Sequence, residues 1–374
     1  MAEQAPILGG QVVISKPALQ QLFDALRGAG YSLIGPTVRE DAIVYDEIAH
    51  LSDLPVGWAD EQAPGTYRLH RRSDQAHFGF VVGPHSWKRY LYPPSLRLFS
   101  TRRNGDGFSV ETSKDPPPRY AFVGVRACEL AAIAVQDRVF LDGPVQEPHY
   151  KARRECAFVL AVNCTEPGGT CFCASMRTGP RCSSGFDLAL TELDDVFLLE
   201  VGSALGAQML SGVEWRPAGA FELSRARQVM AEAQTRMGRG LNTQNLPDLL
   251  YDNLEHPHWA NVAERCLSCA NCTMVCPTCF CSDVQETSDL AGETAARVRA
   301  WDSCFNREFS YVFGGHLRPN TRARYRQWLT HKLASWTDQY GVSGCVGCGR
   351  CITWCPVGID LTKELAAIRG ESPL

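Results

Sequence analysis

The sequence predicts two domains: an α/β domain with a parallel-strand core over residues 1–240, and a mainly α-helical, cysteine-rich domain over residues 241–374. The chain has 374 residues, which is more than a single hydrophobic core usually holds. Short apolar runs of strand length alternate with amphipathic helical segments in the first part, as in α/β folds. The cysteines form two separate groups, at residues 128–182 and 266–355.

The elements of the first domain follow from apolar spacing and from the positions of proline and glycine. A helix begins near Pro17 and ends near Gly28, because proline is tolerated in a first helical turn and glycine favours helix ends. Five apolar runs of strand length follow, at residues 42–48, 78–82, 120–125, 157–162 and 195–201. Residues 129–140 have helical spacing and connect two of these runs, which predicts a βαβ unit with parallel strands. A helix at 222–238 and a polar connector at 239–245 end the domain.

Composition excludes several classes of protein. The chain is 45% hydrophobic and 21% charged, as is usual for globular proteins. Its formal net charge of −4 argues against a nucleic-acid-binding protein. No apolar run approaches the roughly 18 residues that a membrane span needs. The start of the sequence lacks a basic segment followed by an apolar one, so we expect a cytoplasmic protein.

The second cysteine group contains a repeated motif. Cys266-x2-Cys269-x2-Cys272-x3-Cys276-Pro277 is followed by a second copy, Cys345-x2-Cys348-x2-Cys351-x3-Cys355-Pro356. This spacing is the established pattern of bacterial two-cluster ferredoxins, in which the fourth cysteine of each copy ligates the other cluster. The sequence therefore predicts a ferredoxin-like domain with two [4Fe-4S] clusters. One would be held by Cys266, Cys269, Cys272 and Cys355, and the other by Cys345, Cys348, Cys351 and Cys276.

Zinc is the alternative, but a structural zinc site uses only four ligands, whereas the two copies supply eight matched sulfurs. The chain has 17 cysteines, an odd number, and no export signal, so disulfides are a poor explanation. The long insert between the two copies, residues 277–344, is expected to be helical, with an apolar face over 324–341. Three cysteines of this domain lie outside the repeat: Cys279, Cys281 and Cys304. They are either buried thiols beside a cluster, or groups that ligate or undergo thiol–disulfide chemistry.

The first cysteine group predicts a third site. Cys128 and Cys164 each follow a strand of the βαβ unit, and parallel strands end at the same edge of a sheet, where α/β folds bind ligands. Cys171 and Cys173 follow on the same glycine-rich loop. Four thiols at one crevice suggest a third [4Fe-4S] cluster. The alternative is a set of half-buried structural thiols. Cys156 and Cys182 are left outside the site.

No residue of the chain is predicted to be catalytic. The sequence has no G-x-G-x-x-G after a strand and no Walker loop. Its nine histidines show no metal-binding spacing. Hydride chemistry is therefore expected on another subunit.

Six stretches of the chain resemble a known family. They are 124-GVRACEL-130, 162-VNCTEPGGTCFCASM-176, 185-GFDLALTEL-193, 276-CPTCFCSDV-284, 301-WDSC-304 and 345-CVGCGRCITWCPVGID-360. The chain resembles the iron–sulfur (β) subunits of cytosolic NAD(P)-linked [NiFe]-hydrogenases, or sulfhydrogenases. The A subunit of anaerobic sulfite reductase is similar. The resemblance implies an electron-relay subunit, which works with a flavin- and NAD(P)-binding subunit and with the small and large [NiFe]-hydrogenase subunits.

Other functions stay open at the level of the sequence. The same relay could serve an anaerobic sulfite or polysulfide reductase. The chain could instead be a heterodisulfide-reductase-like thiol–disulfide enzyme that uses Cys279, Cys281 or Cys304. A zinc-based interaction module is a further alternative.

Overall fold

A computed structural model describes residues 7–112 and 116–372 of the chain. In chain order its strands are β1 (Gln11–Ser15), β2 (Ser32–Arg39), β3 (Ala42–Glu47), β4 (Trp58–Ala63), β5 (Thr66–Arg71), β6 (Ser95–Asn104), β7 (Gly107–Glu111), β8 (Tyr120–Arg126), β9 (Phe158–Val162), β10 (Leu188–Glu192), β11 (Val196–Val201), β12 (Arg216–Pro217), β13 (Ser282–Ser288), β14 (Thr294–Trp301), β15 (Tyr311–Val312) and β16 (Gly315–His316).

The α-helices are α1 (Leu19–Gly28), α2 (Lys88–Leu91), α3 (Ala127–Phe140), α4 (Pro148–Glu155), α5 (Ala204–Leu210), α6 (Ala220–Thr235), α7 (Leu246–Asp252), α8 (His258–Arg265), α9 (Asn271–Met274), α10 (Thr321–Thr330), α11 (Trp336–Tyr340), α12 (Arg350–Thr353) and α13 (Leu361–Arg369). A short 3-10 helix spans Leu51–Asp53, and a π-helical turn at His331–Ser335 joins α10 to α11. None of the helices in the described ranges is both long and apolar enough to cross a membrane.

A mixed eight-stranded sheet forms the α/β part of the molecule. Its strand order is β12-β1-β11-β10-β9-β8-β2-β3. The pairs β2/β8, β8/β9 and β9/β10 are parallel, and the remaining pairs are antiparallel. The predicted βαβ unit is present as β8–α3–β9, with Ala121 opposite Phe158. Both strands are buried, and their carboxyl ends lead directly to Cys128 and Cys164.

The predicted strand at 78–82 is wrong. Phe78, Phe80 and Val82 are buried, but the backbone of this segment bonds to side chains instead of to a sheet. Glu192 accepts a hydrogen bond from the Phe78 N–H at 2.8 Å, and Arg126 donates to the carbonyls of Phe78 and Phe80 at 2.9 and 2.8 Å. The apolar run reflects burial in the core without strand pairing.

The expectation of a helical insert is wrong for residues 282–301. These residues form the hairpin β13–β14, which joins β6 and β7 in a four-stranded sheet of order β13-β14-β6-β7. Most of β13 is exposed and polar, so it lacks the apolar alternation by which a strand is recognised. Only 321–340 is helical as expected. This sheet contains strands from both sides of the predicted boundary at 240/241.

Two hydrophobic cores contain most of the buried apolar residues. The larger one packs α1 and α3 against the eight-stranded sheet, with Phe23, Phe122 and Phe158 fully buried. The smaller one lies between α7, α8, α10 and α13. Phe172, from the glycine-rich loop of the first cysteine group, is 1% exposed and belongs to this second core. The loop that carries Cys171 and Cys173 is thus packed against the C-terminal part of the chain.

Candidate iron–sulfur centres

The two copies of the cysteine motif have the same backbone conformation. In the first copy, Ser268 and Ala270 have positive φ angles of 52° and 68° before the short helix α9. In the second, Gly347 and Gly349 have φ angles of 66° and 74° at the corresponding positions before α12. A positive φ costs energy for residues other than glycine, so this loop shape is a specific feature of the motif. The sequence repeat is therefore also a structural repeat.

One cavity is lined by cysteines from both copies. Its volume, measured out to its open mouth, is about 470 Å³. The sulfur-bearing residues in its wall include the first predicted ligand set, Cys266, Cys269, Cys272 and Cys355. Burial raises the pKa of Cys272 well above its usual value, and the charges of Cys266 and Cys355 add to the rise. The fourth cysteine of the second copy thus lies beside the first three of the first copy, as the ferredoxin rule predicts.

Two hydrogen-bond donors in this wall have no protein partner. Tyr325 is 3% exposed and Trp328 is 4% exposed, and both line the cavity. Within the described part of the chain, the Tyr325 hydroxyl and the Trp328 Nε1 make no hydrogen bond. Buried donors are normally satisfied, and thiolate and sulfide sulfurs accept hydrogen bonds. The donors and the thiols together fit a [4Fe-4S] cluster.

The second predicted ligand set is also gathered in one place. Burial raises the pKa of Cys351 well above its usual value, and the charges of Cys345, Cys348 and Cys276 add to the rise. Lys332 is 3% exposed, and its amine donates to Cys276 Sγ at 3.2 Å, Thr278 Oγ1 at 3.1 Å and the Gly344 carbonyl at 3.2 Å. No carboxylate is among these partners. Fixed positive charge beside thiols stabilises the thiolate form that metals bind.

Three of the four predicted thiols of the first group lie near one another, and the fourth, Cys128, lies near Cys173. Burial raises the pKa of Cys171, and the charges of Cys173 and Cys164 raise it further. Burial likewise raises the pKa of Cys128, with Cys173 as the largest charge contribution and Cys348 of the second set as the next. Cys128 lies in the first turn of α3, where helix N–H groups favour a thiolate. The structure therefore places Cys164, Cys171 and Cys173 together, and it places Cys128 beside Cys173 and Cys348.

This third set lies against the second ligand set. The Phe172 N–H donates to the Gly347 carbonyl at 2.8 Å, and the Cys171 sulfur lies 3.8 Å from the Cys348 carbonyl oxygen. A Cβ atom on Gly347 would lie 2.7 Å from the backbone of Cys173. The two loops are in direct contact, which the sequence analysis did not foresee.

The buried guanidinium of Arg126 indicates that a negatively charged group would fit the third set. Arg126 is 4% exposed, and its charge lowers the pKa of Cys164, although burial raises that pKa more. Its Nη2 is bonded to two carbonyls, but Nε and Nη1 have no partner in the described ranges. A buried cation needs compensating negative charge, which a cluster with four thiolates would supply.

An ion pair connects the two neighbouring sites. Glu129 follows Cys128, and Arg350 lies between Cys348 and Cys351; both charged residues are at most 4% exposed. The Arg350 Nη2 donates to Glu129 Oε1 at 2.6 Å. Glu129 also accepts from Trp87 Nε1 at 3.1 Å and from the Tyr45 hydroxyl. The pair fixes the start of α3 relative to the second motif.

The remaining cysteines fall outside these three sets. Cys156 ends α4, ahead of β9, and Cys182 is 2% exposed in the larger core. Among the described residues, no three His, Cys, Asp or Glu side chains are arranged to hold a single metal ion. The sequence analysis missed Arg126, Lys332 and Arg350. The burial of Lys332 could have been predicted from the sequence, because this residue lies on the apolar stripe between Trp328 and Trp336.

The fold and the sites define a [4Fe-4S] dicluster protein with an α/β domain. Residues 265–359 match the family described as "4Fe-4S dicluster domain". The chain is also 33% identical over 289 residues to sulfhydrogenase 2 subunit beta of Pyrococcus furiosus, a match that covers 75% of this chain and 82% of the relative. The chain therefore belongs to the family of sulfhydrogenase beta subunits. No solved structure matches it.

Proposed function

We propose that the chain is the electron-transfer subunit of a cytoplasmic, multi-subunit [NiFe]-hydrogenase. The observation that carries the proposal is the cavity in which Cys355 meets Cys266, Cys269 and Cys272, the crossed arrangement of a two-cluster relay. Membership of the sulfhydrogenase beta family supports the same function. Clusters bound there would supply one-electron transfer, and the chain would hold them and tune their potentials.

The relay would contain three [4Fe-4S] clusters. The first two would be held by the two crossed sets of the repeated motif. The third would be held by Cys128, Cys164, Cys171 and Cys173. Support for the third comes from the Arg126 guanidinium, whose Nε and Nη1 have no partner among the described residues, and from the contact between the loops of Cys171 and Cys348. The charge of Cys348 acts on Cys128, and the charge of Cys272 acts on Cys351, so successive sets are near enough to suggest a path from the third set through the second to the first.

The partners would be a flavin- and NAD(P)-binding subunit and the small and large [NiFe]-hydrogenase subunits. This chain has no nucleotide-binding motif, so hydride transfer would take place on the flavin subunit. The buried thiols, amines and guanidinium of this chain would hold the clusters at fixed potentials. No residue of this chain would be catalytic.

The assembly can be tested by purification. The full chain carrying an affinity tag, isolated without oxygen from its own organism, should bring with it stoichiometric nickel, flavin and the corresponding subunits, identified by mass spectrometry. The tagged chain expressed alone should contain iron but show no hydrogenase activity. A partner subunit carrying sirohaem in place of the nickel subunits would contradict the proposal and favour a sulfite reductase.

A further inference from the structure

Cys281 and Cys304 lie at the two ends of one hairpin. Cys281 directly precedes β13, and Cys304 is the third residue after β14. The strands are paired to their ends, with Ser282 opposite Trp301, and the Asp302 N–H donates to the Cys281 carbonyl at 2.9 Å. The ends of the hairpin therefore hold the two cysteines next to each other.

The two thiols influence each other's titration. Hydrogen bonding from the thiol and the backbone N–H of Cys304 lowers the pKa of Cys281 to about 7; burial opposes this shift, and the charges of Lys332 and Lys88 add to it. The pKa of Cys304 is raised by the same thiol contact and by burial. One thiol of the pair is thus prepared as the thiolate, and the other as its proton donor.

Two buried amines lie around the pair. In the described ranges the Lys332 amine donates only to Cys276 Sγ, Thr278 Oγ1 and the Gly344 carbonyl. Lys88 is 4% exposed, and its amine donates to the carbonyls of Met274 and Cys279, at 3.5 and 3.1 Å. Burial lowers the pKa of Lys88, and a sulfur carrying negative charge nearby favours the protonated amine.

The arrangement differs from that of the predicted cluster ligands. Fellow ligands such as those around Cys272 and Cys351 affect one another through charge. Cys276 does hydrogen-bond to a thiol, but that thiol is Cys279, which lies outside the predicted sets. Ligands of a cube are held apart by the cluster, whereas two thiols in contact can form a disulfide. Both Cys281 and Cys304 are half-buried, so they are not sealed in the core.

We propose that Cys281 and Cys304 form a redox-active dithiol that exchanges an electron pair with the two neighbouring clusters. In the reducing direction, one disulfide bond takes up two electrons and two protons, and two thiols result. The electrons come from the proposed [4Fe-4S] relay, one at a time, and the reverse step returns them. Cys304 lies near Cys272 of one set, and Cys281 lies near Lys332, which contacts Cys276 of the other. The inference rests on the proposed relay.

The first test maps the disulfide in the full chain with its clusters in place. After anaerobic treatment with oxidised glutathione and alkylation of the remaining thiols, peptide mass spectrometry should find Cys281 linked to Cys304. Reduction should abolish the link. The Cys156→Ser variant, which changes a half-buried thiol outside every predicted site, should still form it. A wild-type chain that never yields this linked peptide would overturn the proposal.

The second test counts electrons and iron. In a reductive titration of the oxidised protein, the wild type should take up two electrons per chain more than a Cys281→Ser/Cys304→Ser double variant, at equal iron content. Equal electron uptake would refute the dithiol. A loss of about four iron atoms in the variant would refute it as well, because the thiols would then be cluster ligands. A wild-type protein that contains no iron would instead contradict the proposed relay. Failure of the dithiol proposal and failure of the relay therefore give different results.

Discussion

At the scale of single residues, buried polar groups identify the sulfur sites more specifically than the cysteines do. Arg126, Lys332 and Arg350 are at most 4% exposed, and each lies beside a cysteine of a predicted set. Buried charge is unfavourable unless it is compensated. The sequence predicted the thiols from their spacing, but it could not predict these cations, because their partners are distant in the chain.

Tyr325 should tune the cluster of the first ligand set. Its hydroxyl, in the wall of the cavity, has no hydrogen-bond partner among residues 7–112 and 116–372, and a hydrogen bond to cluster sulfur stabilises the more negative, reduced form. The Tyr325→Phe variant should therefore shift the midpoint potential of that cluster to a more negative value. A potentiometric titration followed by electron paramagnetic resonance measures the shift.

The control for Tyr325 is Tyr251→Phe. Tyr251 is 38% exposed and hydrogen-bonds to Asp338, outside the cavity. This variant loses the same hydroxyl but should leave the potential unchanged. Equal potentials in all three proteins would show that the Tyr325 hydroxyl does not act on a cluster.

Arg350 should be important for stability. Removing one partner of a buried ion pair leaves the other charge uncompensated, which costs about 3–5 kcal/mol. The Arg350→Met variant leaves Glu129 without its cationic partner and should markedly lower the unfolding temperature of the cluster-containing chain. Arg39→Met, which breaks the exposed pair with Asp46, should change stability by less than about 1 kcal/mol. Similar melting curves for both variants would contradict the assigned role of Arg350.

At the scale of elements, the repeated loops show what sequence patterns can and cannot predict. The spacing of the motif predicted both loops, and the left-handed positions occur in both copies. The hairpin β13–β14 was missed because β13 is exposed and polar and because β14 pairs with β6, far away in the sequence. The strand expected at 78–82 is absent because burial alone does not distinguish a strand from an extended segment.

Gly349 has no room for a side chain, so a methyl group there should destabilise the fold. A Cβ atom there would lie 2.5 Å from the Thr170 carbonyl oxygen. Gly370 has the same φ of 74° but open space around it, so Gly370→Ala isolates the backbone strain of about 1–2 kcal/mol. Gly349→Ala should cost a further 1–3 kcal/mol, roughly, because the loop of Cys171 must move.

Thermal unfolding of both glycine variants measures the difference between them. Electron paramagnetic resonance of the same two variants should show weaker signals from a cluster in the third set in Gly349→Ala alone. Equal unfolding temperatures would mean that the two loops are not packed as closely as described.

At the scale of the whole molecule, the two cysteine groups form one continuous region. The sequence separates them by more than eighty residues, from Cys182 to Cys266, and the sequence analysis assigned them to two domains. In the fold, Phe172 enters the second core, and its N–H bonds to Gly347. Spacing within each group could be interpreted from the sequence, but contact between groups depends on the tertiary fold. This contact makes a continuous relay sterically feasible.

The most direct test of the three-cluster relay is a count of iron and labile sulfide in the full chain, purified without oxygen and reconstituted. The relay predicts about 12 iron and 12 sulfide per chain, and loss of about four of each in a Cys164→Ser/Cys171→Ser variant. A wild-type content of about eight, unchanged in that variant, would limit the chain to two clusters. Zinc in place of iron would contradict the relay altogether.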